Sequence, residues 1–135
     1  MTKIQYHPLP APGDIVWCHF PYSEALGNPG PKARPALVLA VSPEDHAIRV
    51  AYGTTQRTNN IHAGEFVLDP AEAGFSVSGL AERTKFDLGR SVQVPFDSDW
   101  FQPNPGIYAT KPLPKMGILH PSYMQAARKA LSQIP

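Results

Sequence analysis

Proline and glycine divide this chain into short segments, and no other feature of the sequence constrains the fold as strongly. The 135 residues include 16 prolines and 10 glycines. Proline cannot donate a backbone hydrogen bond and glycine favours turns, so long helices cannot dominate such a chain. Short segments joined by turns are typical of a small barrel or sandwich. We therefore predict a mainly β fold, in one domain over residues 1–135.

The composition also limits the kind of protein. Hydrophobic residues make up 42% of the chain and charged residues 17%, as in a globular domain. Cys18 is the only cysteine, so it has no partner for an internal disulfide, and the sequence shows no zinc-ligand spacing. It also shows no signal-peptide pattern and no run of about 18 apolar residues. We expect a cytoplasmic protein with no metal site and no membrane segment.

The charge is nearly balanced but unevenly distributed. The chain has 12 basic and 11 acidic residues, which gives a net charge of +1. No acidic residue follows Asp99, whereas four basic residues do: Lys111, Lys115, Arg128 and Lys129. Two interpretations are open, a basic face that binds nucleic acid and an ordinary solvated surface.

Apolar and β-branched runs indicate where the strands lie. Residues 1–12 are predicted to be an extended arm, followed by strands at 15–20, 36–41, 47–52, 65–68 and 90–94, with a less regular candidate strand at 80–88. Both faces of the first strand are apolar, so we expect both to be covered. The polar turn at 42–45 makes the next two strands a hairpin. Residues 21–33 contain three prolines and two glycines and are predicted to form a long, mobile loop.

The last segment predicts a C-terminal helix over residues 120–134, which begins at His120 and Pro121 because proline suits a first helical turn. Four apolar residues fall at helical spacing on one side: Met124, Ala127, Leu131 and Ile134. We expect this side to pack on the sheet or on a partner.

Three separated segments carry a resemblance to a known family. They are Gly-Asp-Ile-Val-Trp at 13–17, Arg-Pro-Ala-Leu-Val-Leu at 34–39 and Thr-Thr-Gln at 54–56. In this order and at this separation they resemble the PemK/MazF family of toxin endoribonucleases. The match covers residues 13–56, about a third of the chain, and the remainder fits the family's layout loosely.

The resemblance implies a fold, a reaction and partners. The fold is a small SH3-like β-barrel with a C-terminal helix, and the usual assembly is a homodimer. Such a protein cleaves single-stranded RNA at short sequences without a metal or another cofactor, and a cognate antitoxin protein neutralises it. The positions that match the family's catalytic residues are Arg34 and Thr54.

The chemistry of these residue types fits the implied reaction. Attack of a ribose 2′-hydroxyl on the adjacent phosphate develops negative charge, which the Arg34 guanidinium would stabilise. Thr54 would hydrogen-bond a phosphate oxygen. The candidates for holding neighbouring phosphates or base edges are Lys32, Thr55, Gln56 and Lys85. The expected products carry 2′,3′-cyclic phosphate and 5′-hydroxyl ends.

The sequence does not identify a general base. Many family members carry an acidic residue shortly before the arginine, where residues 28–31 read Asn-Pro-Gly-Pro, and others carry aspartate where 83–85 read Arg-Thr-Lys. Glu24 and Glu82 are the carboxylates left as candidates. His19 has a suitable imidazole, but its place in a strand favours a half-buried histidine with satisfied ring nitrogens.

Two other functions therefore stay open. Without a general base, the chain would be a catalytically weakened or inactive barrel that binds RNA or a protein. Related barrels poison a DNA gyrase, so a protein target is a third possibility. RNA cleavage, RNA binding without cleavage, and gyrase inhibition are the outcomes that distinguish these functions.

Overall fold

The computed structural model describes residues 3–103 and 113–135, so Lys111 of the predicted basic segment lies outside the described residues. Its regular elements are β1 (Asp14–Cys18), β2 (Arg34–Ser42), β3 (Ala47–Thr54), β4 (Glu65–Leu68), β5 (Thr84–Pro95), β6 (Lys115–Ile118) and α1 (Met124–Ser132). The strands form one antiparallel sheet, curled into a half-barrel, in the order β4-β5-β3-β2-β1-β6. The predicted mainly β fold with a C-terminal helix is confirmed.

The hairpin predicted from the polar turn is formed by β2 and β3. Its last ladder pair joins Ser42 to Ala47. His46 closes the turn with φ at 49°, in the left-handed region, where histidine is found more often than β-branched residues. The register shifts once along this pair, at Leu39. The turn thus fixes which residues of β2 and β3 face each other.

The last predicted strand is the second half of a longer strand, β5. Its register on β3 jumps between Ala51 and Tyr52, which leaves residues 88–90 unpaired as a bulge. The Asp87 carboxylate accepts a hydrogen bond from the Gly89 N–H at 2.9 Å, which stabilises the turn in the bulge. The sequence pattern placed the first half of β5 in a separate, less regular segment at 80–88, because Asp87 and Gly89 interrupt the apolar run.

Both faces of the sheet are covered, as expected from the first strand. On β1, Val16 and Cys18 belong to one core and Ile15 to the other. The first core also contains Tyr6, Phe20, Ala36, Val38, Ile48, Val50, Val94, Phe96 and Phe101. The second also contains Leu37, Ala51, Phe66, Leu68, Phe75, Leu80, Phe86, Leu88, Tyr123 and Ala130. Burial raises the pKa of the Cys18 thiol, so this thiol stays protonated, as expected of an unreactive core cysteine.

The N-terminal arm lies along the segment that follows β5. The Tyr6 N–H donates to the Phe96 carbonyl at 3.1 Å, and the Ser98 N–H donates to the Ile4 carbonyl at 2.8 Å. Tyr6 is buried, so the arm closes one side of the first core. The predicted extended segment therefore packs on the sheet through its described residues.

The C-terminal helix is preceded by a 3₁₀ turn at Pro121–Tyr123. The His120 imidazole caps this turn by accepting a hydrogen bond from the Ser122 N–H at 3.0 Å. The Tyr123 hydroxyl donates to the Glu72 carboxylate at 2.9 Å, and burial together with this carboxylate raises the pKa of Tyr123 to about 12. No helix in the described part of the chain has the length and apolar character needed to cross a membrane.

The buried side of α1 differs from the predicted one. Ala127 and Ile134 pack on the second core as expected. Met124 and Leu131 do not pack on the sheet, since their exposed fractions are 40% and 60%, and the alternative that they pack on a partner stays a prediction. Ala130 is buried in their place. Ala130 lies three positions after Ala127 and four before Ile134, so these three side chains share one face of the helix.

We predict that Gly53→Ala destabilises the fold by about 1–3 kcal/mol, measured by urea unfolding. A Cβ atom at Gly53 would overlap the Pro35 carbonyl oxygen on β2 and lie 2.8 Å from Phe86 Cε1 on β5. The Pro35 oxygen belongs to the backbone and the Phe86 ring is fully buried, so neither can shift without disturbing the packing around it. Gly27→Ala is the matched control, since a Cβ there meets nothing within 4 Å. Equal stability of the two variants would contradict this account of the strand packing.

Candidate active site

Arg34 begins β2 and Thr54 ends β3, so strand pairing positions both predicted catalytic residues. Ala36 pairs with Tyr52, and the same antiparallel register, continued by two residues, places Arg34 opposite Thr54. On its other side Arg34 pairs with Cys18 of β1. Both side chains are partly buried at one end of the sheet.

Two cavities meet at this pair of residues, and both are lined by Arg34 and Thr54. The Trp17 cavity has a volume of about 470 Å³ and is also lined by Trp17, Pro35, Gly53, Thr55, Leu80, Glu82, Thr84 and Met116. The Arg90 cavity has a volume of about 440 Å³ and is also lined by Tyr52, Gln56, Arg57, Glu65, Lys85, Asp87 and Arg90. A bound chain that passes over Arg34 and Thr54 would therefore have a recess on each side.

The Thr54 hydroxyl has a local partner but keeps its own hydrogen available. Thr54 Oγ1 accepts a hydrogen bond from the Gln56 N–H at 3.0 Å, as in a turn that a threonine initiates. A hydroxyl that accepts once can still donate to a phosphate oxygen. Thr55 and Gln56 are exposed, and they line the Trp17 cavity and the Arg90 cavity respectively.

The two lysines predicted to bind RNA lie in different environments. Lys32 is exposed beside a crevice of about 30 Å³ that also includes Arg34, Tyr52 and Arg90. Lys85 is buried, and its ammonium lies 3.0 Å from the Asn60 carbonyl and 3.3 Å from the Glu65 carboxylate. It also donates to the Arg57 carbonyl. Lys85 therefore holds the segment that follows β3, and its charge is largely engaged there.

The sequence did not single out the two side chains that complete the cationic wall of the Arg90 cavity, Arg57 and Arg90. The Arg90 guanidinium carbon lies 4.0 Å from the centroid of the Tyr52 ring, and that of Arg34 lies 5.9 Å from the same centroid. Such spacings permit cation–π contact. The available sequence signal was the placement of Arg57 directly after the Thr-Thr-Gln segment. The position of Arg90 depends on the bulge in β5.

Three carboxylates line the cavities, and they differ in how far they are engaged. Glu65 accepts from Lys85 and, at 2.7 Å, from the His62 N–H. Asp87 uses Oδ1 for Gly89. Glu82 is exposed in the Trp17 cavity. Glu24, the other candidate from the sequence, lines neither cavity and accepts from the Ser23 hydroxyl at 3.3 Å.

His19 stands apart from both cavities. Its ring nitrogens lie 3.1 Å from the Gly30 carbonyl oxygen and 3.1 Å from Gln102 Oε1. The Gly30 N–H also donates to the His19 carbonyl at 3.0 Å. His19 therefore ties the two ends of the loop that precedes Arg34, in agreement with a half-buried, satisfied histidine. Among residues 3–103 and 113–135, no three histidine, cysteine or acidic side chains cluster as metal ligands would.

The described basic residues near the C-terminus lie outside the Trp17 cavity and the Arg90 cavity. The Lys115 ammonium lies 3.4 Å from the Asp14 carboxylate. Lys115, Arg128 and Lys129 line neither of these two cavities.

Arg83, in the Arg-Thr-Lys segment, forms an ion pair with Asp69. The Ala71 N–H together with this contact lowers the pKa of the Asp69 carboxyl.

Solved structures of endoribonucleases are similar to this chain. One is an endoribonuclease from a mycobacterial species, with a TM-score of 0.55 and 12% identity over 95% of this chain and 92% of that chain. Another is a mycobacterial endoribonuclease in complex with its cognate antitoxin, with a TM-score of 0.54 and 13% identity over 91% of each chain. No family model and no curated protein matches the sequence. The structural likeness confirms the fold that the resemblance to the PemK/MazF family implied.

Proposed function

We propose that this protein is a metal-independent endoribonuclease, the toxin of a toxin–antitoxin pair, which cleaves single-stranded RNA at the Arg34–Thr54 site. The observation that carries the proposal is the pairing of β2 with β3, which brings Arg34 and Thr54 together between two cavities. Each cavity has a volume above 400 Å³, so a nucleotide has space on either side of a phosphate held at Arg34.

The reaction follows from what these groups can do. The 2′-oxygen of the preceding ribose forms a bond to phosphorus as the bond to the leaving 5′-oxygen breaks. The Arg34 guanidinium stabilises the charge on the equatorial oxygens, and the Thr54 hydroxyl donates to one of them. The 2′-proton passes to a carboxylate and the 5′-oxygen receives a proton from an acid or water. The products are a 2′,3′-cyclic phosphate and a 5′-hydroxyl.

Two carboxylates are positioned to act as the general base, one in each cavity. Glu82 faces the Trp17 cavity with its carboxylate exposed. Asp87 faces the Arg90 cavity, and its Oδ1 is engaged by Gly89, so Oδ2 would take the proton. The choice between them depends on the side on which the attacking ribose lies.

The proposal includes a cytoplasmic location, where mRNA is available, and the assembly and control that suit a toxin. One of the similar structures is bound to its cognate antitoxin, and we propose an antitoxin protein as the partner of this chain. We propose a homodimer as the functional unit. The exposed Met124 and Leu131 on α1 supply apolar surface for such contacts.

Arg34→Ala is expected to lower kcat/KM for RNA cleavage by about 100-fold, since loss of one preorganised donor costs roughly 3 kcal/mol in the barrier. Purified protein is incubated in EDTA with a mixed-sequence RNA, and the new ends are mapped. The parent should give 5′-hydroxyl ends at a short motif. Arg49→Ala, on an exposed β3 residue outside both cavities, is the control and should cleave at the parent rate.

Cleavage by Arg34→Ala at the parent rate would contradict the proposed mechanism. Intact RNA in the parent sample, with measurable RNA binding, would instead identify a non-catalytic binding module. Inhibition of a DNA gyrase without RNA cleavage would point to a protein target.

Thr54→Val is expected to lower kcat by about 10-fold and leave KM nearly unchanged, because it removes one neutral donor to the transition state. Thr54→Ser keeps the hydroxyl and should retain most of the activity. Single-turnover cleavage of the mapped motif measures both variants. An equal loss in the two would show that Thr54 acts by packing and not through its hydroxyl.

The general base is identified by comparing Glu82→Gln with Asp87→Asn over a pH series. Removal of the base should cost about 100-fold or more. In the parent, activity should rise with pH, because only the carboxylate form of the base accepts the 2′-proton. The variant that loses this rise identifies the base. Retention of the full profile by both would exclude both carboxylates.

A further inference from the structure

The Arg90 side chain is fixed by aromatic rings and not by a carboxylate. Its guanidinium carbon lies 4.0 Å from the Tyr52 ring centroid and 5.6 Å from that of Phe20. Its Nε is buried and has no hydrogen-bond partner among the described residues. A guanidinium stacked on a ring keeps its terminal N–H groups, which lie in its plane, free to donate at the edge of the ring.

The charge of the Arg90 cavity is not neutralised by its own residues. Its lining has four cationic side chains and two carboxylates: Arg34, Arg57, Lys85 and Arg90 against Glu65 and Asp87. Lys85 and Glu65 pair with each other. Within the described part of the chain, the guanidiniums of Arg34, Arg57 and Arg90 form no ion pair. Arginines grouped in this way favour a bound anion, and phosphate matches their fork of donors.

Arg90 lies on one side of the Arg34–Thr54 pair, in the Arg90 cavity, which it shares with both residues. Arg34 and Thr54 line both cavities, whereas Arg57 and Arg90 line the Arg90 cavity and not the Trp17 cavity. Arg90 also borders the small crevice beside Lys32. The guanidinium carbons of Arg34 and Arg90 lie 5.9 Å and 4.0 Å from the same Tyr52 ring centroid, so a single RNA strand that places one phosphate at Arg34 and continues into this cavity passes Arg90.

We propose that Arg90, held against Tyr52 and Phe20, binds a second phosphodiester of the RNA, the one adjacent to the scissile phosphate. The inference rests on the proposed function, since it assigns a second phosphate of the same substrate to the same site. The subsite contributes to binding and not to the bond-breaking step. Arg90 is the last residue of the bulge in β5, residues 88–90.

The test measures binding separately from cleavage. The probe is an oligonucleotide of the mapped motif with a 2′-deoxy nucleotide at the scissile position, which binds but cannot be cut. Arg90→Met keeps an apolar stem against the rings and removes the guanidinium. It should raise Kd by about 10–100-fold, the usual loss for a charged hydrogen-bonding partner. For the cleavable RNA, KM should rise while kcat changes little. Arg49→Ala is again the control.

A second set of probes locates the phosphate. In each probe one phosphate is replaced by an uncharged methylphosphonate. In the parent, replacement of the phosphate next to the scissile one should raise Kd by about as much as the Arg90→Met substitution does. In the Arg90→Met variant, the same replacement should have almost no further effect on Kd. In Arg90→Met, the slope of the logarithm of the association constant against the logarithm of the salt concentration should be smaller in magnitude than in the parent, by about 0.7, because the variant neutralises one phosphate fewer on a single strand.

The outcomes separate this inference from the proposed function. Normal cleavage by the parent, with unchanged Kd in Arg90→Met, overturns the second subsite and leaves the ribonuclease intact. A fall in kcat at constant Kd also overturns it, since Arg90 would then act at the scissile phosphate. No binding of any RNA by the folded parent overturns both. Thermal melting of Arg90→Met confirms that the variant compared is folded.

Discussion

The antiparallel pairing of β3 on both of its edges is the constraint on which the site depends. β2 lies on one side of β3 and β5 on the other, so the end of β3 cannot move without breaking two ladders. Gly53 permits this arrangement because it leaves space for the Pro35 carbonyl and the Phe86 ring. Tyr52 and Thr54, its two neighbours, are consequently positioned by backbone hydrogen bonds. A site built on paired strands is more rigid than one built on a loop.

The electrostatics of the site are local. The whole chain carries a net charge of +1, which would not suggest an anionic ligand. The fold gathers Arg34, Arg57 and Arg90 from three separate segments into one cavity. Because a recessed site has a lower dielectric than bulk water, grouped charges act more strongly there than on an open surface. The distribution of arginines in space therefore matters more than the net charge.

The features that could be predicted from the sequence are those set by neighbouring residues, and the family resemblance supplied the candidate site residues. The β2–β3 hairpin follows from its turn, and Arg34 and Thr54 follow from segments that resemble the PemK/MazF family. Arg90 was missed because its contact with Tyr52 spans 38 positions and depends on the jump in register between β3 and β5. The sequence could not decide which apolar side chains of α1 face the sheet, because Ala130 and Leu131 are apolar neighbours and only the structure shows that Ala130 is buried and Leu131 exposed. Such long-range contacts leave no periodic signal in the sequence.

The bulge at residues 88–90 also changes which face of the sheet β5 serves. Phe86 and Leu88 belong to the second core, whereas Val92 and Val94, at positions of the same parity, pack on the first. An odd number of inserted residues is what reverses the alternation, since side chains repeat every two residues along a strand. Changes in the length of this segment are therefore tolerated only in steps of two. Deletion of a single residue would place the side chains on one side of the bulge on the opposite face of the sheet, so that they no longer reach their core.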